Sequence, residues 1–88
     1  MKIVKKAVAG TMESSDAYVE IEPCESLTVE LESVVKEQFG ESILKTAGEV
    51  LSECGVTSAK VHITDRGALD CVLRARIETA VMRGKEEK

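Results

Sequence analysis

The chain has 88 residues, a formal net charge of -4 and 43% hydrophobic residues, which is typical of one small globular domain spanning residues 1–88. A chain of this length buries only about 60–65% of the surface that its unfolded form exposes, so a deep catalytic cleft is excluded. Aromatic residues make up only 2% of the chain, and every charged residue from 13 to 32 is acidic. Base-stacking platforms and binding to nucleic-acid phosphates are therefore excluded as well.

The first six residues are basic but lack the apolar stretch of a signal peptide, and no apolar run approaches the roughly 20 residues that span a membrane. The three cysteines, Cys24, Cys54 and Cys71, are widely spaced and odd in number. We expect them to be free thiols in a reducing compartment, with Cys54 and Cys71 packed in the core. The sequence thus predicts a soluble, cytoplasmic protein.

A loop of mostly small residues runs from Gly10 to Asp16, after a segment from Ile3 to Ala9 that could form a short extra strand. Gly10 permits backbone angles closed to other residues, and serine and aspartate favour turns. No neighbouring side chain is bulky enough to bury a hydroxyl, so Ser14 or Ser15 should be accessible to a modifying enzyme. Serines are common in turns before strands, and an ordinary loop remains the alternative.

Two segments, 17–22 and 27–32, alternate apolar and polar residues with the period of half-buried strands. The four residues from Pro23 to Ser26 suggest a turn that makes them an antiparallel pair. The glutamates then share one face of the sheet, which is either simply hydrated or a docking surface for a basic partner.

A helix is predicted from about Val34 to Cys54, with Ser33 as a candidate cap and Gly55 as its end. Gly40 and Gly48 are unfavourable in a helix interior, so a start after Gly40 is an open alternative. The apolar positions recur at steps of three and four residues: Val35, Phe39, Ile43, Ala47, Val50, Leu51 and Cys54.

The pattern from Val56 to Thr64 predicts another strand, and Asp65 is a candidate cap for a second helix from about Ala68 to Met82. Residues 84–88 are polar and are predicted to fray. The second helix has an apolar stripe of Leu69, Val72, Leu73, Ile77, Ala80 and Val81, and an exposed side with Asp70, Arg74 and Glu78. The whole pattern predicts an α+β two-layer sandwich in the order β-β-α-β-α, with a small sheet covered on one face by two helices.

Few residues could carry catalysis. His62 is the only histidine, and its strand position suggests that it faces outward. A triad of a loop serine, His62 and Asp65 or Asp70 lacks a nucleophile-elbow motif. One histidine and three scattered cysteines do not form a metal site, and no phosphate-binding glycine motif is present.

Four segments resemble the citrate lyase acyl carrier protein (gamma subunit) family, and the resemblance covers nearly the whole chain. They are Ala7 to Asp16, Gln38-Phe39-Gly40, Gly67-Ala68-Leu69-Asp70-Cys71 and Leu73-Arg74-Ala75-Arg76. The resemblance implies a non-catalytic carrier, with a 2'-(5''-phosphoribosyl)-3'-dephospho-coenzyme A arm joined to Ser14 by a phosphodiester. Ser15 occupies a variable position of the family motif. Glu13 and Asp16 flank the site and either shape the turn or help the modifying enzyme to recognise it.

The resemblance also implies that the arm's thiol carries acetyl and citryl groups as thioesters while citrate is cleaved to acetate and oxaloacetate. The implied partners are the transferase and lyase subunits of citrate lyase, a prosthetic-group transferase and a ligase that acetylates the thiol, with no nucleic acid and no membrane. An alternative from another class is a non-catalytic interaction module that docks by its acidic sheet face or a strand edge.

Overall fold

The computed structural model describes residues 2–85, which form four strands and two helices. The elements are β1 (Ala7–Gly10), β2 (Ala17–Glu22), β3 (Leu27–Ser33), α1 (Lys36–Glu53), β4 (Ala59–Asp65) and α2 (Asp70–Lys85). The α+β class and the two layers are confirmed. The extra strand exists, although it is shorter than the segment from Ile3 to Ala9 and extends one residue beyond it.

The sheet has the order β1-β2-β4-β3, and this corrects the predicted pairing of β2 with β3. Strand β4 lies between them, antiparallel to β2 and parallel to β3. A parallel pair needs a long crossover connection, and α1 supplies it between β3 and β4. The turn at residues 23–26 therefore joins two strands that are separated by a third.

The core lies between one face of the sheet and the two helices. Val19 and Ile21 of β2 are opposite Ile63 and Val61 of β4, and all four side chains are buried. Burying an aliphatic side chain of this size stabilises a fold by about 1.5–3 kcal/mol. The helices add Ala47, Val50, Leu51, Ile77, Ala80 and Val81, which confirms most of the two predicted stripes.

The other face of the sheet is polar and open, as the alternation predicted. His62 points to this side and contacts Glu32 at 2.9 Å and Glu30 at 3.4 Å. The hydrogen bond with Glu32 is the main cause that raises the pKa of His62. Because β4 is central, His62 and Lys60 stand between the glutamates of β2 and those of β3. The glutamates of β2 and β3 are thus separated by basic side chains.

Helix α1 begins at Lys36, before Gly40, and Ser33 is not its cap. The Ser33 hydroxyl instead donates to Asp65 at 2.9 Å and accepts the Val35 N–H at 3.0 Å. Gly40 is buried inside the helix, and a Cβ there would lie 3.2 Å from the Lys36 side chain and 3.9 Å from that of Leu31. Gly55 ends the helix as predicted, with a φ of 76°.

Helix α2 begins at Asp70, five residues after Asp65, so the predicted capping role of Asp65 is wrong. The helix continues through Gly84 and Lys85, which corrects the prediction that these two residues fray; residues 86–88 lie outside the described part of the chain. Cys54 packs against the core as expected, whereas Cys71 is exposed. All three cysteines are free thiols.

Candidate functional site

The serine loop, residues 11–16, connects β1 to β2 and ends in a tight turn. The Asp16 N–H donates to the Glu13 carbonyl at 3.2 Å, which leaves Ser14 and Ser15 at the two central positions. Ser14 is exposed, and no hydrogen bond involves its hydroxyl among residues 2–85. The predicted accessibility of this oxygen is therefore confirmed.

Ser15 is also exposed, but its backbone is held in place. Its φ of 67° lies in the left-handed region, which is unusual for a residue other than glycine. The Ser15 N–H donates to the Arg66 carbonyl at 2.8 Å, and the Arg66 N–H donates to the Asp16 carbonyl at 2.9 Å. These two bonds attach the serine loop to the segment between β4 and α2.

The Asp16 carboxylate is fully occupied within the protein. Its Oδ1 accepts the Ala17 N–H at 2.7 Å and Arg76 Nε at 3.0 Å. Its Oδ2 accepts the Thr11 hydroxyl at 2.7 Å and Arg76 Nη2 at 2.9 Å. The bidentate bond from Arg76, followed by those from Thr11 and Ala17, holds the pKa of Asp16 well below its usual range.

These contacts distinguish the roles of the two acidic residues that flank Ser14. Asp16 shapes the turn, because each of its oxygens already accepts two hydrogen bonds. The Glu13 side chain is exposed and has no hydrogen bond or ion pair within residues 2–85, so it is accessible to a visiting protein. Arg76 completes the loop from 60 residues away, and sequence reasoning placed it in a family motif without assigning it a partner.

Gly10 is required where β1 enters the loop. Its φ is 95°, and a Cβ at this position would lie 1.8 Å from the Ala17 carbonyl oxygen. Only glycine allows the two strands to approach each other so closely here.

The imagined hydrolytic triad is not assembled. His62 lies on the open face of the sheet with Glu30 and Glu32. The Asp65 carboxylate accepts bonds from the Ser33 hydroxyl and from the N–H groups of Gly67 and Ala68. Asp70 accepts the Thr46 hydroxyl at 2.8 Å. None of these side chains is bonded to Ser14.

Sequence reasoning missed an apolar groove whose lining includes Asp65 and Gly67, the chain neighbours of Arg66, which is bonded to the serine loop through its backbone. It has a volume of about 320 Å³. Phe39 and Leu69 stand at its rim with 52% and 70% of their surface exposed, although both were expected in buried stripes. The groove is lined by Val35, Phe39, Ser42, Ile43, Asp65, Gly67, Ala68, Leu69, Asp70 and Leu73.

Comparison with known proteins shows what the chain is similar to. It is 55% identical to a citrate lyase acyl carrier protein of Haemophilus influenzae over 99% of this chain and 92% of the relative. A protein of the same name from Clostridium perfringens is 52% identical over 98% of this chain and 87% of the relative. The chain belongs to the citrate lyase acyl carrier protein family. Residues 4–84 also match the family described as malonate decarboxylase delta subunit (MdcD).

The fold of this carrier family member is shared with a solved structure. A crystal structure of a Pseudomonas malonate decarboxylase hetero-tetramer in complex with malonate contains a chain that superposes with a TM-score of 0.78. The two chains are 25% identical, and the match covers 94% of this chain and 87% of the other. Within residues 2–85, neither helix is long and apolar enough to cross a membrane.

Proposed function

We propose that this chain is the acyl carrier subunit of citrate lyase and that its prosthetic arm is attached to Ser14. The observation that carries the proposal is the exposed Ser14 hydroxyl, at the centre of a turn fixed by hydrogen bonds on both sides. The match to carrier relatives over 99% of the chain supports the same role.

The residues around Ser14 fit a phosphodiester-linked group. The hydroxyl has no competing hydrogen bond in residues 2–85, and the neighbouring side chains leave it open to solvent. Arg66, whose backbone is bonded to Ser15 and Asp16, is an exposed basic residue, and its charge suits a phosphate group attached to this loop. The terminal thiol of the arm would carry acetyl and citryl groups as thioesters during the cleavage of citrate to acetate and oxaloacetate.

The chain itself supplies a fixed attachment point for the arm rather than catalytic groups. The Asp16 carboxylate is held by Arg76 and Thr11, so it does not act as a proton acceptor for Ser14. No histidine or other basic side chain is bonded to the Ser14 hydroxyl within residues 2–85. A tethered group can reach an effective concentration in the millimolar range at a partner's active site, which explains the use of a small inert domain.

The partners proposed for this carrier are the transferase and lyase subunits of citrate lyase, together with the enzyme that installs the arm and the ligase that acetylates its thiol. The names of the relatives support the first two, and the hetero-tetramer around the Pseudomonas neighbour supports membership of a multi-subunit complex. The three free cysteines suit the reducing cytoplasm, where we place the complex.

Attachment to Ser14 rather than to Ser15 is supported by the turn. Ser15 has its N–H bonded to Arg66 and its backbone in the left-handed region. A group added there would therefore be attached to a residue whose backbone is already strained. Ser14 has neither restraint. Glu13, exposed and directly before Ser14, is proposed to take part in recognition by the modifying enzyme.

Intact-mass spectrometry of protein purified from cells with the complete citrate lyase pathway tests this proposal. We expect a mass increase equal to the phosphoribosyl-dephospho-coenzyme A group, which Ser14→Ala abolishes together with citrate cleavage by the complex. Ser15→Ala is the matched control and should retain the added mass. An unmodified wild-type chain, or full activity of the Ser14→Ala complex, would support a plain interaction module instead.

A further inference from the structure

The apolar groove and the serine loop are adjacent parts of one surface. Arg66 is bonded through its backbone to Ser15 and Asp16, and the residues that follow it, Gly67 to Asp70, form one wall of the groove. The turn that shapes this wall is fixed by Asp65, which accepts N–H bonds from Gly67 and Ala68. A ligand anchored at Ser14 therefore has the groove as its neighbour.

Charge distinguishes the two parts of this surface. None of the groove's lining residues is basic, and its polar groups include the Ser42 hydroxyl and the Asp70 carboxylate. The Asp65 carboxylate also lines it but is buried and already accepts three hydrogen bonds. Such a groove disfavours phosphate and accepts neutral groups with N–H or S–H donors. Arg66, an exposed basic residue whose backbone is bonded to the serine loop, does not line the groove.

The exposure of Phe39 and Leu69 is a second reason to expect a ligand in the groove. Large apolar side chains exposed singly are common on a protein surface, but here two of them flank one concave site of about 320 Å³. This volume is at the lower end of the range typical of small-molecule sites, which are mostly apolar with a few polar groups. The groove therefore suits a slender ligand with both apolar and amide groups.

We infer that the groove is the resting site of the neutral amide-and-thiol end of the arm attached to Ser14. This inference rests on the proposed function, since it needs a loaded serine. The phosphates stay near Arg66, and the uncharged end packs between Phe39 and Leu69. Because the arm is tethered, an affinity in the millimolar range gives substantial occupancy, and the end remains free to leave for a partner's active site.

Methyl and aromatic NMR spectra of the apo and arm-loaded proteins, without any partner, test the inference. We expect loading to shift signals of Val35, Phe39, Leu69 and Leu73, and expect Leu69→Glu to remove those shifts. Leu44→Glu is the matched control, because Leu44 is an exposed leucine of α1 that does not line the groove. Pantetheine titrated onto Ser14→Ala protein should shift the same signals with a Kd in the millimolar range.

Alkylation of the arm's thiol, followed by mass spectrometry, gives a second readout. We expect the rate to rise about twofold or more in Leu69→Glu and to stay unchanged in Leu44→Glu, since a half-occupied site protects about half of the thiols. Shifts confined to residues 11–16, with equal alkylation rates, would overturn the inference while leaving Ser14 loaded. If Leu69→Glu changes neither readout but weakens binding to the catalytic subunits in a binding assay, the inference is wrong and the groove is a protein-docking site. An unloaded Ser14 would overturn the proposed function itself.

Discussion

The serine loop at residues 11–16 and the turn at residues 65–69 lie side by side, and each is organised by one aspartate in a different way. Asp16 is bonded to a charged partner, Arg76, which comes from a distant helix. Asp65 is 2% exposed and accepts three bonds, all from neutral donors. The serine loop relies on a charge pair, whereas the turn at residues 65–69 relies on hydrogen bonds from neutral donors to one buried carboxylate.

This difference follows from the environment of each carboxylate. Beside solvent, a bidentate arginine fixes both the position and the orientation of a carboxylate. In the interior, a second charge would add its own desolvation penalty, and neutral N–H and O–H groups satisfy the oxygens at lower cost. The serine loop is thus the part whose shape depends on an ion pair.

The largest expected effect is the difference in stability loss between substitutions of Gly10, before the serine loop, and Gly67, in the turn at residues 65–69. In Gly10→Ala, the new Cβ would lie 1.8 Å from the Ala17 carbonyl, and both strands must move. We expect the free energy of unfolding to fall by about 3 kcal/mol or more. Gly67→Ala is the matched control: φ is 90°, but no atom lies within 4 Å, so only the backbone term of about 1–2 kcal/mol applies. Urea unfolding of both variants measures this, and equal losses would contradict it.

The next largest effect concerns Asp65. Asp65→Ala leaves the Ser33 hydroxyl and the N–H groups of Gly67 and Ala68 without an acceptor, so we expect a loss of about 2–3 kcal/mol in the free energy of unfolding. Ser33→Ala removes one of these three bonds together with the bond from the Val35 N–H, and should cost about 1–2 kcal/mol. A loss below that of Ser33→Ala would show that water replaces the carboxylate.

Arg76→Met should loosen the serine loop and raise the pKa of Asp16 towards its ordinary value of 3.8. Because the folded pKa of Asp16 is lowered, its contribution to stability is present above about pH 3.8 and is lost as the pH falls through the folded value. The difference in stability between wild type and Arg76→Met should therefore be constant near neutral pH and shrink below pH 3.8. Unfolding curves across this range test it, with Arg74→Met as the control. A difference that grows on acidification would be inconsistent with the ion pair.

The smallest effect lies on the open face of the sheet, where a carboxylate pairs with histidine. The pKa of His62 is raised above 6.5 by its bond with Glu32, so its contribution to stability is complete below pH 6.5 and is lost as the pH rises through the folded pKa. We expect Glu32→Gln to lower the pKa of His62 and to cost less than about 1 kcal/mol at pH 6. NMR titration of His62 measures its pKa. An unchanged pKa in Glu32→Gln would show that another neighbour raises it.

Local patterns were predictable from the sequence because their causes lie within a few residues. Alternation located three strands, Gly55 marked the end of α1, and small residues indicated that Ser14 is exposed. Asp65 was predicted to cap the second helix, but the N–H groups that it accepts, those of Gly67 and Ala68, belong to a turn before the helix. The boundaries differed where side chains had non-local partners, as Ser33 does with Asp65.

Contacts between distant segments could not be predicted from local sequence patterns. The four-residue turn before β3 suggested a hairpin, but β4 inserts between β2 and β3 because α1 returns the chain parallel to β3. The bond from Arg76 to Asp16 joins residues 60 positions apart and leaves no local signal. Phe39 and Leu69 fitted helical stripes by spacing, yet they lie where the helical layer ends, and so they are exposed beside the groove.

The guanidinium of Arg76 gives the serine loop a second mechanical attachment. A force applied at Ser14 would pass along β2 through the backbone and also into the middle of α2 through Asp16 and Arg76. Such a force would be shared between the sheet layer and the helical layer of the sandwich.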